Sequence, residues 1–175
     1  LTPDLRVDEP SVERMVHDAI DNGVQGLFLA GTCGEGPWLP DRERQVLVRT
    51  TARAAKGRLK IAVQASDNSV PRILDNAAAA AESGADYVII ASPATFMNAT
   101  PERITAHFTE AVNASPLPVG IYDLWSHRPV VIPEARLTAI YLLPNVHPVK
   151  ASSGLPSRRA AAPPARNETP PPPAF

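Results

Sequence analysis

The chain has 175 residues, 44% of them hydrophobic, which is enough for one sizeable buried core. Its 17 basic and 18 acidic side chains give a net charge of −1, too little to attract nucleic acid or an anionic membrane. The single cysteine, Cys33, excludes a disulfide framework within the chain. The four histidines are far apart and do not have the spacing of metal ligands. No apolar run approaches the ~20 residues of a membrane span, and residues 1–4 lack the basic start of a signal peptide. We therefore expect a cytoplasmic protein that binds neither nucleic acid nor membrane.

Apolar residues in the first half of the chain alternate between helical spacing and short continuous runs. Gly23 fits the C-terminal cap of the first helix, and Lys56-Gly57 ends the second. The buried stripe of the first helix is expected to contain Val12, Met15, Val16, Ala19 and Ile20, and that of the second Val46, Leu47 and Ala55. In order, the pattern predicts a helix around residues 12–20, a strand at 24–30, a helix at 41–55 and a strand at 59–65.

The second half repeats this alternation. Thr100-Pro101-Glu102 combines a hydroxyl N-cap, a proline at the first helical position and an acid near the positive end of the helix dipole. Apolar stripes are expected at Ile73, Leu74, Ala77, Ala78 and Ala81, before a stop at Gly84, and at Ile104, Phe108, Ala111 and Val112. The pattern predicts strands at 87–91, 117–122 and 146–150, with a helix near 133–143 between the last two.

The predicted strands start roughly 30 residues apart, which is typical of repeated βα units with parallel strands. Two architectures have this repeat: an open doubly wound sheet and part of a (β/α)8 barrel. Both collect their functional residues at the carboxyl ends of the strands. The residues at those positions here are Gly31 to Gly36, Tyr122 and Lys150.

Lys150 closes the last apolar run, Val146 to Lys150. Burial disfavours a charged ammonium and lowers its pKa, which leaves a neutral amine able to attack a ketone and form a Schiff base. The alternative is that Lys150 leaves the strand end and reaches water. Tyr122 likewise is either an ordinary aromatic residue at a strand end or a proton shuttle beside the amine.

The turn Gly31-Thr32-Cys33-Gly34-Glu35-Gly36 is the second candidate site. Its glycines allow close backbone approach, so its N–H groups and the Thr32 hydroxyl can hold a carboxylate or phosphate. The glycine spacing is not that of a dinucleotide fingerprint. The alternative is a glycine-rich connection that binds no ligand.

Together these motifs resemble the dihydrodipicolinate synthase and N-acetylneuraminate lyase family of Schiff-base pyruvate lyases. The resemblance covers most of residues 1–154. It is carried by Leu1-Thr2-Pro3, the Gly31-Thr32-Cys33-Gly34-Glu35 turn, Tyr122 and Val149-Lys150-Ala151-Ser152-Ser153-Gly154. It implies an incomplete α/β TIM barrel, (β/α)8, that contains strands 2 to 6 of the family fold.

The resemblance also implies roles for individual residues. Lys150 forms the imine with pyruvate or another 2-oxo acid, Tyr122 relays protons and Thr32 polarises Tyr122. The backbone amides of Thr32 and Cys33 hold the substrate carboxylate. The family needs no metal ion and no organic cofactor, and its members tend to be homo-oligomers.

Several positions depart from the family pattern. Cys33 stands where a second hydroxyl is usual, Asp123-Leu124-Trp125 replaces Asn-x-Pro, and Pro93-Ala94-Thr95-Phe96 lacks a relay tyrosine. These departures favour a divergent aldolase or dehydratase.

The last residues have a different composition. Residues 1–154 are expected to form the partial barrel, and the Pro/Ala-rich tail at 155–175 to be disordered or polyproline-like. A gene fragment or a shifted reading frame explains such a tail, and binding to an aromatic groove is a further alternative. The alternative function is therefore an inactive, truncated relative that at most binds small keto acids or partner chains.

Overall fold

The structure, a computed structural model, describes residues 1–93, 99–123 and 132–151, with the backbone only at residue 123 and residues 148–151. The predicted tail at 155–175 and most of the segment around residues 94–96 therefore lie outside the described residues. The helices are α1 (Glu9–Asp21), α2 (Asp41–Ala55), α3 (Val70–Glu82), α4 (Pro101–Ala114) and α5 (Glu134–Tyr141). The strands are β1 (Gly26–Leu29), β2 (Lys60–Gln64), β3 (Tyr87–Ala91), β4 (Val119–Asp123) and β5 (Val146–Ala151).

The helix ends follow the local signals of the sequence. Thr100 caps α4 by accepting a hydrogen bond from the Arg103 amide at 3.3 Å, and Pro101 occupies the first turn. Lys56 ends α2 in the left-handed region at φ 49°, and its amide donates to the Ala52 carbonyl. These local contacts explain why the predicted helix starts and stops are close to those observed.

The five strands form one sheet in the order β1-β2-β3-β4-β5. Both described pairings, β1 with β2 and β4 with β5, are parallel. A doubly wound sheet reverses its strand order at a switch point, whereas a barrel wall adds strands in sequence order. The order therefore decides between the two predicted architectures, and the fold is a partial α/β barrel.

Contacts divide the chain into two compact units. The described residues of the first unit are 1–64 and 79–88, and those of the second are 65–78, 89–93, 99–123 and 132–151. In the first unit, α1 and α2 are joined by Arg53, which donates to both Glu9 and Glu13 at 2.9 Å.

In the second unit, the Asn145 side-chain amide donates to the carbonyls of Val112, near the end of α4, and Leu117, just before β4. These bonds are 3.1 and 3.2 Å long. One side chain thus fixes both sides of the loop that connects α4 to β4.

The predicted buried stripes are right for α4 and partly wrong elsewhere. Met15 is 69% exposed, and only Val16 in α1 is fully buried. On α2, Val46 and Leu47 are half-buried while Val48 is fully buried, and on α3 Ala78 is exposed. The α2 difference has a physical reason, because this helix also buries two threonines and a glutamate that hydropathy does not select. They are Glu43, Thr50 and Thr51.

Candidate active site

The turn after β1 is held in a compact shape by its own backbone. Ala30 and Glu35 both lie in the left-handed region, at φ 53° and 57°. The Gly31 carbonyl accepts two hydrogen bonds, from the Gly34 amide at 3.0 Å and from the Gly36 amide at 3.1 Å. Two non-glycine residues in this conformation within six positions mark a backbone whose shape is imposed by its surroundings.

Gly36 makes this shape possible. A Cβ added at Gly36 would overlap the backbone carbonyl of Ala30, so the two chain segments can approach only because residue 36 has no side chain. Gly34 differs, because a Cβ there would meet nothing within 4 Å. The sequence predicted that glycine matters in this turn, and the structure shows which glycine is sterically required.

Thr32 and Cys33 lie at the outer end of the turn, and both are exposed. They begin a short 3-10 turn, Thr32–Gly34. Among the described residues, neither of their amides donates a backbone hydrogen bond. Free amides at the start of such a turn, together with the Thr32 hydroxyl, have the donors needed to hold an anion.

Gln64, the last residue of β2, is a neighbour of this turn that the sequence did not indicate. Leu29 pairs with Val63 in the parallel register, so Gln64 comes one step beyond, level with Ala30. Its Oε1 atom lies 3.8 Å from the position of a Cβ built on Gly31. Within the described chain this buried oxygen has no hydrogen-bond partner.

The Gln64 backbone, in contrast, is fixed. Arg44 of α2 donates from Nη2 to the Gln64 carbonyl at 2.7 Å. The side chain of Arg44 is only 18% exposed, so this bond is protected from competition with water. The helix therefore holds the carboxyl end of β2 in place, while the Gln64 Oε1 has no partner among the described residues.

The second group of predicted site residues lies on β4 and β5. Tyr122 and Lys150 are direct register partners in these parallel strands, and Ile121 pairs with Val149. Tyr122 is half-buried, and the Lys150 side chain lies outside what the structure describes. The structure thus brings the Tyr122 and Lys150 backbones together in the second unit. Thr32 and Cys33 are adjacent to each other in the first unit.

The chain contains only three lysines, Lys56, Lys60 and Lys150. Lys60 donates from Nζ to Asp86 at 2.7 Å, and this hydrogen bond raises the pKa of Lys60 above its ordinary value. A lysine held in its charged form is a poor nucleophile. Lys56 is exposed at the end of α2.

His107 of α4 is a second polar residue that the sequence reading missed. It is 4% exposed and its ring meets Phe108 edge-on, with centroids 6.2 Å apart. Burial lowers the pKa of His107, and opposing contributions come from Glu110 and a hydrogen bond to the backbone of Asp67.

Among the residues that the structure describes, no three histidine, cysteine, aspartate or glutamate side chains come together as a metal-binding group. None of the described helices has the length and apolar character required to cross a membrane.

Comparison with known proteins gives consistent matches. The dihydrodipicolinate synthetase family matches residues 1–161. The chain is 34% identical over 150 residues to the 4-hydroxy-tetrahydrodipicolinate synthase of Listeria innocua, covering 85% of this chain and 51% of that protein. It is 31% identical over 151 residues to the enzyme of the same name from Corynebacterium aurimucosum, covering 86% and 50%.

Solved structures match the fold. Dihydrodipicolinate synthase from Bacteroides thetaiotaomicron gives a TM-score of 0.78 at 30% identity, covering 89% of this chain and 52% of that one. The Acinetobacter baumannii enzyme, solved in complex with pyruvate, gives 0.80 at 24% identity, covering 89% and 53%. This chain spans about half the length of the relatives it matches. The family match and the partial barrel together show that the chain belongs to the dihydrodipicolinate synthetase family.

Proposed function

We propose that the protein is a Schiff-base-forming lyase, an aldolase or dehydratase, that acts on pyruvate or a related 2-oxo acid. The observation that carries this proposal is the direct pairing of Tyr122 with Lys150 at the ends of two adjacent parallel strands. Functional residues of α/β barrels lie at the carboxyl ends of the strands. Family membership supports the same general chemistry, and the relative from Acinetobacter baumannii was solved with pyruvate.

In the proposed reaction, the Lys150 amine attacks the keto carbon of the 2-oxo acid. The carbinolamine loses water, and the protonated imine then accepts the electron pair released when a bond at the neighbouring carbon breaks. Tyr122 donates the proton that leaves with the departing oxygen, and Thr32 polarises the Tyr122 hydroxyl. The backbone amides of Thr32 and Cys33 hold the carboxylate. The imine serves as the electron sink, so the proposed reaction uses no metal and no organic cofactor.

Lys150 is also favoured by comparison with the other lysines. Lys60 begins β2, at the amino end of its strand, and its ion pair with Asp86 keeps it protonated. Lys56 is exposed to solvent at the end of α2, away from the carboxyl ends of the strands. Lys150, at the carboxyl end of a parallel strand, is where the resemblance puts the imine-forming amine.

Borohydride trapping tests this assignment. The protein is incubated with pyruvate, reduced with borohydride and measured by intact mass, and the expected gain is the mass of pyruvate less one oxygen atom. Peptide mapping should place the adduct on Lys150. We expect K150R to abolish the adduct, because a guanidinium is not a nucleophile at neutral pH.

The matched control is K60R, which removes an amine of the same chemical type but keeps the charge beside Asp86. It should retain the adduct. Folded wild-type protein without an adduct, or an adduct that survives in K150R, would overturn the proposal and favour the alternative of an inactive relative that at most binds keto acids or partner chains. Homo-oligomer formation, a cytoplasmic location and the domain limits at 1–154 and 155–175 stay predictions.

A further inference from the structure

A groove in the first unit lies between residues 1–6 and residues 35–42, and it has a volume of about 720 Å³. Three exposed large apolar side chains line it, Leu1, Leu5 and Trp38, with exposed fractions of 56%, 71% and 72%. Met15 is as exposed, at 69%, but is not part of the groove. Single exposed apolar residues are ordinary, whereas a cluster of them marks an interaction site.

One wall of the groove holds Leu5 in an unfavourable backbone conformation. Leu5 lies at φ 60°, where leucine is rarely found. Its amide donates to the Thr2 carbonyl at 3.0 Å, and the Thr2 amide donates to the Arg6 carbonyl at 2.8 Å, which closes a tight turn. The Val7 amide then ties this segment to the buried Glu43 carboxylate at 2.8 Å. A strained turn that leaves its leucine in water is typical of a functional surface.

The opposite wall presents Trp38 to solvent from a fixed backbone. The Trp38 amide donates to the Glu35 carbonyl at 3.0 Å, and the Leu39 amide donates to the Gly36 carbonyl at 3.2 Å. Both walls are already ordered, so a partner that binds between them has little backbone freedom to remove. Tryptophan and arginine are among the residues most enriched at the energetic centres of protein interfaces.

The charges along the groove are balanced. Asp4 and Glu35 line it together with Arg6 and Arg42, two acidic and two basic side chains. Within the described chain, only Arg42 of these four forms an ion pair, with Glu43 at 3.7 Å. A strongly acidic or strongly basic partner would face two like charges here. A second copy of the same surface matches it, because a twofold axis brings the same patch of both copies together.

We propose that this groove is the contact surface of a symmetric homodimer, in which Trp38 of each copy packs into the groove of the other. Trp38 and Leu5 form the apolar centre of the contact, and association removes their exposed surface from water. The basic side chains of one copy face the acidic side chains of the other. The contact is separate from the proposed lyase chemistry, and it gives a defined surface to the self-association that the family resemblance implies.

Sedimentation equilibrium of the full chain measures the dissociation constant of the dimer. We expect twice the chain mass of 18.7 kDa at high protein concentration. W38A should raise the dissociation constant at least about tenfold, the effect of removing a central anchor. M15A is the matched control, because Met15 is equally exposed outside the groove, and its constant should stay within about twofold of wild type.

Urea titration checks that W38A is folded. If it is not, L5G carries the comparison, since glycine suits the positive φ of residue 5 and the substitution removes the second apolar side chain.

A charge exchange tests the pairing between the two copies. D4R leaves the groove with three basic side chains and one acidic, and R6E leaves it with three acidic and one basic. Each variant alone should dimerise at least about tenfold more weakly than wild type, because like charges then face each other. An equimolar mixture of D4R and R6E should recover the wild-type affinity as a heterodimer.

Three results would overturn the proposal: a wild-type chain that is monomeric at every concentration, equal association of W38A and M15A, or a mixture of D4R and R6E that stays monomeric. A monomer that binds anilinonaphthalene sulfonate only while Trp38 is present would overturn it as well, and would assign the groove to a small apolar ligand.

Discussion

The polar side chains at the two ends of strand β2 differ in their hydrogen bonding. At the amino end, Lys60 donates to Asp86, and Asp86 also accepts from the Ile61 amide at 2.9 Å. At the carboxyl end, the backbone of Gln64 is fixed by Arg44 but its side-chain Oε1 has no hydrogen-bond partner within the described chain. At the amino end, the hydrogen bonds to Asp86 stabilise the fold. At the carboxyl end, the Gln64 Oε1 is unpaired within the described chain and lies near the turn after β1.

The difference suggests how to separate structural from functional polar residues in this fold. A side chain whose donors and acceptors are all used contributes to stability, and its removal costs free energy of unfolding. A buried polar atom without a partner, such as the Gln64 Oε1 within the described chain, adds no hydrogen bond to the stability of the fold. Substitutions at the two ends should therefore affect different measurements.

The largest effect is expected at Gly36. G36A places a methyl group against the Ala30 carbonyl, and backbone atoms cannot move aside as a flexible side chain can. We expect a loss of at least about 3 kcal/mol in the free energy of unfolding, measured by urea titration. G34A is the matched control, because a Cβ there meets nothing within 4 Å, and it should cost less than about 1 kcal/mol. Equal costs for both would contradict the close approach at Gly36.

A smaller effect is expected at the amino end of β2. D86A removes the acceptor of both Lys60 and the buried Ile61 amide, so we expect a loss of about 1–2 kcal/mol in the free energy of unfolding. K60M leaves the Ile61 bond intact and should cost about 0.5 kcal/mol, typical of an exposed ion pair. Pyruvate trapping by either variant should be unchanged relative to wild type. If D86A or K60M lost pyruvate trapping at unchanged stability, the amino end of β2 would have a functional role and not a purely structural one.

The smallest effect concerns a buried polar residue elsewhere, His107. Burial lowers its pKa below the ordinary value of 6.5, so the unfolded chain takes up a proton first as the pH falls. His107 therefore contributes no pH dependence above about 6.5, and below it the free energy of unfolding decreases until the folded pKa is passed.

Urea titrations at pH 7.5 and 5.5 measure this dependence. H107Q should reduce the loss of stability between the two pH values, because the titrating ring is gone. The exposed His17 of α1 provides the control, and H17Q should behave as wild type. An unchanged pH dependence in H107Q would show that other groups cause the acid sensitivity.

Much of the fold could be predicted because its signals are local. The limits of α2 at Asp41 and Ala55 and those of β3 at Tyr87 and Ala91 agree with the prediction. Lys56 and Gly57 both adopt positive φ, so the residues that signal the end of α2 in sequence are those that end it in space. Strand spacing indicated parallel βα units, and the sheet order then decided for a barrel.

Other features depend on neighbours that sequence does not specify. Gln64 is a single polar residue in an apolar run, and its relation to Gly31 follows from the pairing of β2 with β1. Glu43 is buried because its carboxylate accepts from the Val7 amide at 2.8 Å, a contact 36 positions away. The sequence placed Tyr122 and Lys150 at strand ends, but their pairing in register was not predicted, since strand lengths alone do not fix register.

Asn145 has a consequence for dividing the chain into fragments. Its amide binds the carbonyl of Val112 on one side of the connection between α4 and β4, and that of Leu117 on the other. A peptide bond cut at Ser115 would leave both new ends attached to the same side chain. The connection between α4 and β4 is thus a suitable place for a split-protein design, in which two separately expressed halves reassemble without a linker.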